Sequence, residues 1–354
     1  MITLEEYKKD ILNNLSIMSR TANGYIDLSS SKDKVKSMAT TDGELAKDRV
    51  FINCNKAIEF AYENRNRKFT SVNELKDFIE TIALTINDGI VLENKLYRNG
   101  KDENAFNYVA VSEIENTLNT FLMILLSLFN DDNYDPLFAS AVSEYYINYR
   151  GHFFSDGCFK TCMLVSAYCL MRADIKVASY VSRTMYFAYE PHSREDDNTS
   201  IIRHYEFIQL IHRVKDYIIK YQQETNSNVE KYDFFAFPSD DILTSVLEGK
   251  KTAISSLYEL YEVYKTDLPF PGLYSVILDQ NDIPKCIIVN RKMDIKVFKD
   301  VEYEYIKKEG DGDLSSTNWQ LNWGAFFKEQ ADDCNIMFNE DSKIVLEEFQ
   351  LMYK

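Results

Sequence analysis

The sequence is short of the residues that mark several protein classes. Glycine (11) and proline (6) are scarce among its 354 residues, which excludes collagen-like and low-complexity chains. The six cysteines are scattered, without a Cys-x-x-Cys pair or a zinc-ligand spacing, so we expect free thiols in a reducing cytoplasm. The longest apolar run, at residues 121–129, falls well short of the roughly 20 residues that span a bilayer. No membrane partner is therefore expected.

Positive charge is also in deficit. The chain holds 40 Lys and Arg against 56 Asp and Glu, for a formal net charge of −16. Non-specific binding to DNA depends on Lys and Arg that neutralise phosphates, so we do not expect it here. Bulky apolar material is abundant instead: 45% of the residues are hydrophobic, with 24 Tyr and 22 Phe. That is enough to fill one large core or two ordinary ones.

The spacing of apolar residues changes partway along the chain. Up to residue 225 they recur every three or four positions, which is typical of amphipathic helices. A polar run at 222–228 follows, and after it the spacing becomes that of strands. The expected strands cover 273–278, 285–289, 294–298 and 347–353. We therefore predict a multi-domain α+β chain with a helical domain at 1–225, a linker at 226–234 and a β-rich domain at 235–354.

A motif stands in the helical part, at residues 152–160, which read His-Phe-Phe-Ser-Asp-Gly-Cys-Phe-Lys. It resembles the HPFxDGNGR motif of the Fic (Fido) family in register. The segment Lys95-Leu-Tyr-Arg98 and the apolar segment 136–147 resemble elements that lie upstream of the motif in that family. The resemblance covers roughly residues 45–190 and implies an all-α Fic-like domain. The matching motif residues are His152, Phe154, Asp156 and Gly157.

The resemblance implies roles for these residues. In Fic proteins the loop and the following helix N-terminus hold a nucleotide diphosphate, which suits backbone amides at a helix start. The His is the general base on a target hydroxyl, and the acid holds Mg²⁺. Mg²⁺ and a nucleoside triphosphate would then be cofactors only where the site is active. By this resemblance His152 is catalytic, Asp156 binds metal, and the nucleotide is bound by Asp156, Gly157, Lys160 and Thr161.

Three departures from the Fic motif oppose this activity. Phe159 replaces the second glycine and puts a ring where phosphate oxygens would approach the backbone. Lys160 replaces an arginine and loses its bidentate fork. Cys158 replaces an asparagine and lacks the amide donor. A Fic-like scaffold with a degenerate active site is therefore the alternative interpretation.

A second motif lies in the β-rich part. Residues 247–257 look like the G-x-K-T-x-T/S segment that opens ASCH domains. The run Glu-Gly-Asp-Gly-Asp-Leu-Ser at 309–315, followed by Trp319 and two phenylalanines, looks like the signature of one ASCH subgroup. The resemblance extends from about Phe235 to Tyr353. It implies a small β-barrel related to the PUA fold.

The ASCH resemblance also implies a site. The family is associated with RNA, and some members are amidohydrolases on acylated cytidine that use a Lys, a Thr and a Glu. The Lys corresponds to Lys251 and the acid to Glu309, whereas the Thr falls on Ile254, so only Ser255 could supply the hydroxyl. Nucleoside or nucleic-acid contacts are expected from Lys250, Lys251, Thr252, Asp313 and Trp319. The plainer interpretation makes Trp319 a core residue and the two lysines part of a solvated turn.

Three functions follow, from different classes. Two eroded motifs in one chain favour a non-catalytic or weakly catalytic regulatory protein whose partner is a nucleotide, an RNA or a protein target. The first alternative is a divergent, toxin-like Fic-type transferase acting on a protein hydroxyl, since both families occur in bacterial toxin–antitoxin settings. The second is an ASCH-type nucleoside amidohydrolase that uses Lys251, Ser255 and Glu309.

Overall fold

The computed structural model divides into two compact units, Met1–His212 and Arg213–Lys354. The predicted multi-domain α+β order, helices first and a β-rich part second, is confirmed. None of the helices in the described part of the chain is long and apolar enough to cross a membrane. The structure describes residues 1–18, 20–21, 24–25, 43–89, 95–99, 108–179, 196–264, 266–310 and 314–354.

The first unit is built from helices around one central apolar helix. A short antiparallel pair joins β1 (Arg20–Thr21) and β2 (Gly24–Tyr25). A π-helical turn at Tyr145–Arg150 continues α5 towards the first motif. The helices are α1 (Leu4–Met18), α2 (Gly43–Glu63), α3 (Val72–Ile86), α4 (Ile114–Phe129), α5 (Pro136–Glu144), α6 (Cys158–Met171) and α7 (Asp197–Thr225).

Sequence signals explain where these helices start and which face they bury. Ser71 caps α3, since its Oγ accepts from the Glu74 amide at 3.3 Å, and the Glu74 carboxylate accepts from the Thr70 amide at 2.8 Å. This is a capping box in which the Glu74 carboxylate reaches one residue further back than the cap residue. The apolar stripe of α4 is buried as its spacing predicts, and α6 is buried along nearly its whole length. The segment after the first motif is therefore the core of this unit.

The second unit is organised on one five-stranded sheet with the strand order β3-β5-β6-β7-β4, curled into a half-barrel. β3 pairs in parallel with β5, and the other neighbours are antiparallel. Its elements are β3 (Tyr232–Ala236), α8 (Asp240–Leu247), β4 (Ala253–Leu257), α9 (Tyr258–Tyr264), β5 (Tyr274–Leu278), β6 (Pro284–Val297), α10 (Tyr303–Glu309), α11 (Ser316–Asp333) and β7 (Lys343–Tyr353).

Two features of this sheet differ from the sequence prediction. The strands expected at 285–289 and 294–298 are one strand, β6, whose pairing with β7 shifts register between Asn290 and Lys292. Such an irregularity interrupts the alternation that marks a strand. The structure also starts β3 at Tyr232, inside the segment 226–234 that the sequence predicts as a linker.

The last part of α7 packs on the sheet of the second unit. The Tyr217 hydroxyl donates to the Lys285 carbonyl at 2.9 Å. The Tyr221 ring lies 6.0 Å from the Tyr274 ring and 5.5 Å from the Tyr353 ring. The structural division therefore falls within α7, upstream of residue 225, because a few tyrosines at helical spacing join the end of this helix to the strands.

The two faces of the sheet carry different cores. Along β4 the burial alternates, so that Ala253, Ser255 and Leu257 share one face while Ile254 and Ser256 share the other. The first face packs against α10 and α11 in a cluster that includes Trp319 and Phe327. The second face packs partly against α8, in a cluster with Leu243 and Phe349. Because of this alternation, Ser255 lies on the first face of the sheet, and Ile254 and Ser256 lie on the second.

Candidate functional site

The segment that leads into β4 turns one of two adjacent lysines inwards. The amides of Lys250 and Lys251 both donate to the Ser245 carbonyl, at 2.9 and 3.1 Å, and so close the end of α8. Lys250 remains exposed and pairs with Glu248 on the surface. Lys251 enters the interior, where only 1% of its surface is exposed.

Lys251 is held by a buried cluster of polar groups. Its Nζ donates to Glu309 Oε2 at 2.6 Å and to the Glu309 carbonyl at 2.9 Å. Ser255 Oγ donates to the second carboxylate oxygen, Oε1, at 2.5 Å. The Tyr305 hydroxyl lies 3.3 Å from Ser255 Oγ and donates to the Ile254 carbonyl at 2.6 Å. We call Lys251, Ser255, Tyr305 and Glu309 the Lys–Glu cluster.

The glycine after Glu309 lets the end of α10 approach the backbone at Lys250 and Lys251 closely. Gly310 has φ +71°, and a Cβ there would lie 2.7 Å from the Lys250 carbonyl oxygen. A hydrogen bond joins the two segments there, because the Thr252 amide donates to the Lys308 carbonyl at 2.7 Å. The Glu-Gly pair of the second motif thus places the Glu309 carboxylate beside the beginning of β4.

The structure brings the three predicted catalytic groups together but encloses them. Glu309 is 0% exposed and Ser255 4% exposed, so these groups lie inside the protein, and of the Lys–Glu cluster Tyr305 lines a surface pocket, beside Lys308 and Glu348. A Ser nucleophile needs a base to take its proton and a substrate within reach. Here the hydroxyl already donates to a carboxylate that is paired with an ammonium group. Catalytic roles for Lys251, Ser255 and Glu309 stay predictions.

The other residues predicted to contact a nucleoside are spread apart. Trp319 is 3% exposed and stacks on Phe298, with ring centroids 5.3 Å apart, as a core residue does. Lys250 lies on the surface, and Thr252 is partly buried in the backbone junction just described. Asp313 lies outside the described residues.

An open cleft of about 220 Å³ lies on the opposite face of the sheet. Every strand of the five-stranded sheet contributes to the cleft. Tyr261 of α9 lines one side of it, and the Tyr261 hydroxyl lies 2.8 Å from Ser256 Oγ. Its apolar walls include Phe235 and Ile254. We call it the acidic cleft, after its carboxyl groups. The polar residues from the five strands are Asp233, Ser256, Ser275, Asn290 and Glu347.

The two carboxyl groups from β3 and β7 have strongly raised pKa values. Burial raises the pKa of Glu347 to about 7, with further increases from the negative charges of Asp233 and Glu309, although the Asn290 amide donates to Glu347 Oε2 and opposes the shift. Burial likewise raises the pKa of Asp233 to about 6, against a hydrogen bond from Ser275. Asp233 Oδ1 is buried and has no hydrogen-bond partner among the described residues. Perturbed carboxyl groups in a cleft are typical of functional sites.

The cleft was not predicted from the sequence, although the pattern of β7 contains one indication of it. Glu347 occupies an inward position of β7, on the same face as the buried Val345 and Phe349. A carboxyl group among apolar residues of one strand face carries a desolvation penalty that a purely structural strand would avoid. Asp233 gave no such signal, because it lies within the predicted linker.

In the helical unit the first motif is held by Arg98. The guanidinium donates to the carbonyls of His152 at 2.6 Å, Gly151 at 3.0 Å and Val109 at 2.7 Å. Tyr97 forms an isolated antiparallel bridge with a residue of the motif loop. The Lys95–Arg98 segment, which the sequence linked to the motif by resemblance alone, is therefore its direct structural support.

The side chains of the motif loop have protein partners. His152 has φ +43°, its ring stacks on Tyr108 with centroids 4.0 Å apart, and its Nδ1 lies 3.2 Å from the Asn148 carbonyl oxygen. Asp156 Oδ1 accepts from the Gly157 amide at 2.5 Å. This contact engages both the predicted metal ligand and a backbone donor that an anion would use.

The start of α6 offers little to a nucleotide. Gly157 precedes the helix with φ +72°, and a Cβ there would lie 2.9 Å from Asn87 Oδ1. Thr161 is fully buried, while Lys160 is partly exposed. Among the described residues no group of three His, Cys, Asp or Glu side chains could hold a metal ion. The predicted metal role of Asp156 stays a prediction.

Comparison with known proteins gives one family match and several similar solved structures. Residues 231–353 match the family model of the ASCH domain. Among solved structures, the chain is similar to an ASCH domain from Lactobacillus crispatus, with 24% identity over 40% of this chain and 95% of the other and a TM-score of 0.38. It is also similar to a signalling protein with a Fic domain from Bacteroides thetaiotaomicron, with 13% identity over 64% and 91% and a TM-score of 0.45. A Fic family protein from Desulfovibrio desulfuricans gives 12% identity over 75% and 76% and a TM-score of 0.36. No curated protein matches the chain.

Proposed function

We propose that this chain is a non-catalytic binding protein whose C-terminal unit holds a nucleobase in the acidic cleft. The base would arrive as a free nucleoside or as an unpaired base of RNA. The observation that carries the proposal is the cleft itself, which is open and has polar groups from all five strands of the sheet around apolar walls.

The walls of the cleft fit a flat, partly apolar ligand. Phe235, Tyr261 and Ile254 provide aromatic and aliphatic surface, and bases are commonly stacked on such side chains. The side chains of Ser256, Ser275 and Asn290 are hydrogen-bonded within the cleft, so the directional groups left for a ligand are chiefly carboxyl oxygens. The carboxyl groups repel phosphate, so the base enters and the phosphates of a nucleotide or an RNA stay outside.

The absence of covalent chemistry follows from the arrangement of hydroxyl groups. Ser255 belongs to the Lys–Glu cluster on the other face of the sheet, and Ile254, which takes the position of the family's catalytic Thr, lines the cleft without a hydroxyl. Ser256 shares its hydrogen bond with the Tyr261 hydroxyl, whose pKa is itself raised by burial. The carboxylate that accepts from Ser255 is already paired with Lys251 inside the protein, and the partner of Ser256 is a hydroxyl group, so neither serine is arranged as an accessible nucleophile.

We expect nucleosides to stabilise the protein through this cleft. A ligand at 100 times its Kd adds about 2.7 kcal/mol to the free energy of unfolding, which thermal denaturation detects readily. Ile254→Phe narrows the cleft and should abolish the shift, whereas Lys307→Met, at an exposed position of α10 on the other face of the sheet, should leave it unchanged. Chromatography of an acylated cytidine after incubation should show no hydrolysis.

The same experiment separates the two sources of the base and can reject the proposal. A larger shift with a short unstructured RNA than with nucleosides would assign the cleft to RNA. A nucleoside shift that survives in Ile254→Phe, with the variant's own melting transition intact, would place binding elsewhere. Turnover of the acylated cytidine would restore the amidohydrolase alternative.

For the helical unit we propose a scaffold role without phosphoryl transfer. This is supported by the protein contacts of His152 and Asp156 and by the burial of Thr161. ATP with Mg²⁺ is therefore expected to leave the calorimetric transitions of the protein unchanged, in the wild type and in His152→Ala alike. A shift that requires Mg²⁺ and disappears in His152→Ala would revive the transferase alternative.

A further inference from the structure

The acidic cleft is rich in hydrogen-bond acceptors. Its lining, within the described residues, includes the carboxyl groups of Asp233, Asp267 and Glu347 but no Lys or Arg. The Asn290 amide group donates to Glu347, and the Ser256 and Tyr261 hydroxyl groups are hydrogen-bonded to each other, so these polar groups are already engaged. Above about pH 7, where Asp233 and Glu347 are ionised, the cleft presents chiefly carboxylate oxygens to a ligand, and these only accept hydrogen bonds.

One of these acceptors is unsatisfied and buried. Asp233 Oδ1 has no hydrogen-bond partner among the described residues, and such a group carries a desolvation penalty that a donor from a ligand would relieve. The raised pKa values of Asp233 and Glu347 have the same origin, since little in the cleft stabilises their ionised forms.

We infer that the acidic cleft selects bases whose edge carries adjacent N–H donors, as guanine does with its N1–H and N2 amino groups, and rejects uracil. The inference rests on the proposed function and names the ligand class for that same site. A guanine edge can place two parallel N–H bonds on one carboxylate. A uracil edge has a single N–H between two carbonyl oxygens, so it satisfies at most one acceptor and brings its own oxygens towards the carboxyl groups.

Inosine provides the matched ligand control, because it differs from guanosine only by the missing N2 amino group. Bidentate recognition of a base edge discriminates by roughly 10- to 100-fold. We therefore expect guanosine to bind the full-length chain at least 10-fold more tightly than inosine or uridine, as measured by isothermal titration calorimetry.

The protein variants locate the discrimination. Glu347→Gln keeps an acceptor for the Asn290 amide but removes the charge. Asp233→Asn likewise removes the charge on β3 and keeps an acceptor for Ser275. Each variant should reduce the preference for guanosine several-fold. Glu348→Gln is the matched control, since Glu348 is the next residue on β7 and faces the opposite side of the sheet. If one cleft variant fails to fold, the other still tests the inference.

Each outcome has a clear meaning. A preference for guanosine that is lost in the cleft variants and kept in Glu348→Gln supports the inference. Equal binding of guanosine, inosine and uridine, abolished by Ile254→Phe, overturns the inference and leaves the proposed function intact. Binding of none of the three nucleosides overturns both.

Discussion

Replacing Lys251 by methionine is expected to lower the free energy of unfolding of the C-terminal unit by about 3–5 kcal/mol, because it leaves a buried carboxylate without its cation. The lost contacts are the hydrogen bonds from Nζ to Glu309 Oε2 and to the Glu309 carbonyl, in a place where neither side chain reaches water. Methionine has a similar length, so the effect reports charge and hydrogen bonding more than volume.

Urea denaturation followed by tryptophan fluorescence isolates this effect. The chain has two tryptophans, Trp319 and Trp323, and both belong to α11, on the same face of the sheet as the Lys–Glu cluster. The Lys251 Nζ lies 5.7 Å from the Trp323 ring centroid, so the signal arises beside the substitution. The fluorescence transition therefore reports the C-terminal unit and not the helical one.

Two further variants control this experiment. Lys250→Met removes an exposed lysine one position earlier and should change stability by no more than about 0.5 kcal/mol. Combining Lys251→Met with Glu309→Leu removes both charges, so the double variant should lose clearly less than the sum of the two single variants. A loss below about 1 kcal/mol in Lys251→Met would show that the pair is solvated in solution and would contradict the geometry of the cluster.

The second large effect is a dependence of stability on pH. The ordinary pKa values of Asp233 and Glu347 are 3.8 and 4.5, and folding raises them to about 6 and about 7. Between these limits the folded state holds more protons than the unfolded state, so both groups make stability fall as the pH rises from about 4 to about 7. The full effect is on the order of 3 kcal/mol for each group, by the conversion of pKa shifts to free energy.

The variants give the sign a direct test. Glu347→Gln and Asp233→Asn should be more stable than the wild type at pH 8 and should have a flatter pH profile. Exposed acids in the same unit, such as Glu302, whose pKa is lowered by Lys296, act in the opposite direction, so the comparison between variants matters more than the wild-type slope. A Glu347→Gln profile parallel to that of the wild type would show that the Glu347 carboxyl group is hydrated, and Glu348→Gln supplies the surface reference.

The sequence singled out Lys251, Ser255 and Glu309, but not Tyr305, through motif segments that are far apart in the chain. Lys251 and Glu309 belong to two separate elements of the ASCH resemblance, and the structure brings their side chains into contact at 2.6 Å. Their position inside the protein was not predictable from spacing, because a lysine before a strand can turn to either side. The bond from the Lys251 amide to the Ser245 carbonyl and the glycine at 310 decide the direction.

The acidic cleft was out of reach of the sequence for a different reason. Its polar residues come from five strands, and their proximity depends on the pairing register: Asp233 lies opposite Ser275, and Glu347 lies opposite Ile254. A parallel partner such as β3 cannot be inferred from a hairpin pattern, and the register shift in β6 hides the continuity between Asn290 and the rest of its strand. Helices were easier, since their core stripes, as in α4, are set by local spacing alone.

The packing of the end of α7 on the strands has a consequence for how this chain would be divided. The match to the ASCH family begins at residue 231, whereas the compact unit begins at Arg213. Tyr217 and Tyr221 contact strand residues from positions that precede the family match. The stretch that the family model matches is thus shorter than the compact unit, and a fragment that began at residue 231 would leave aromatic surface on the sheet uncovered.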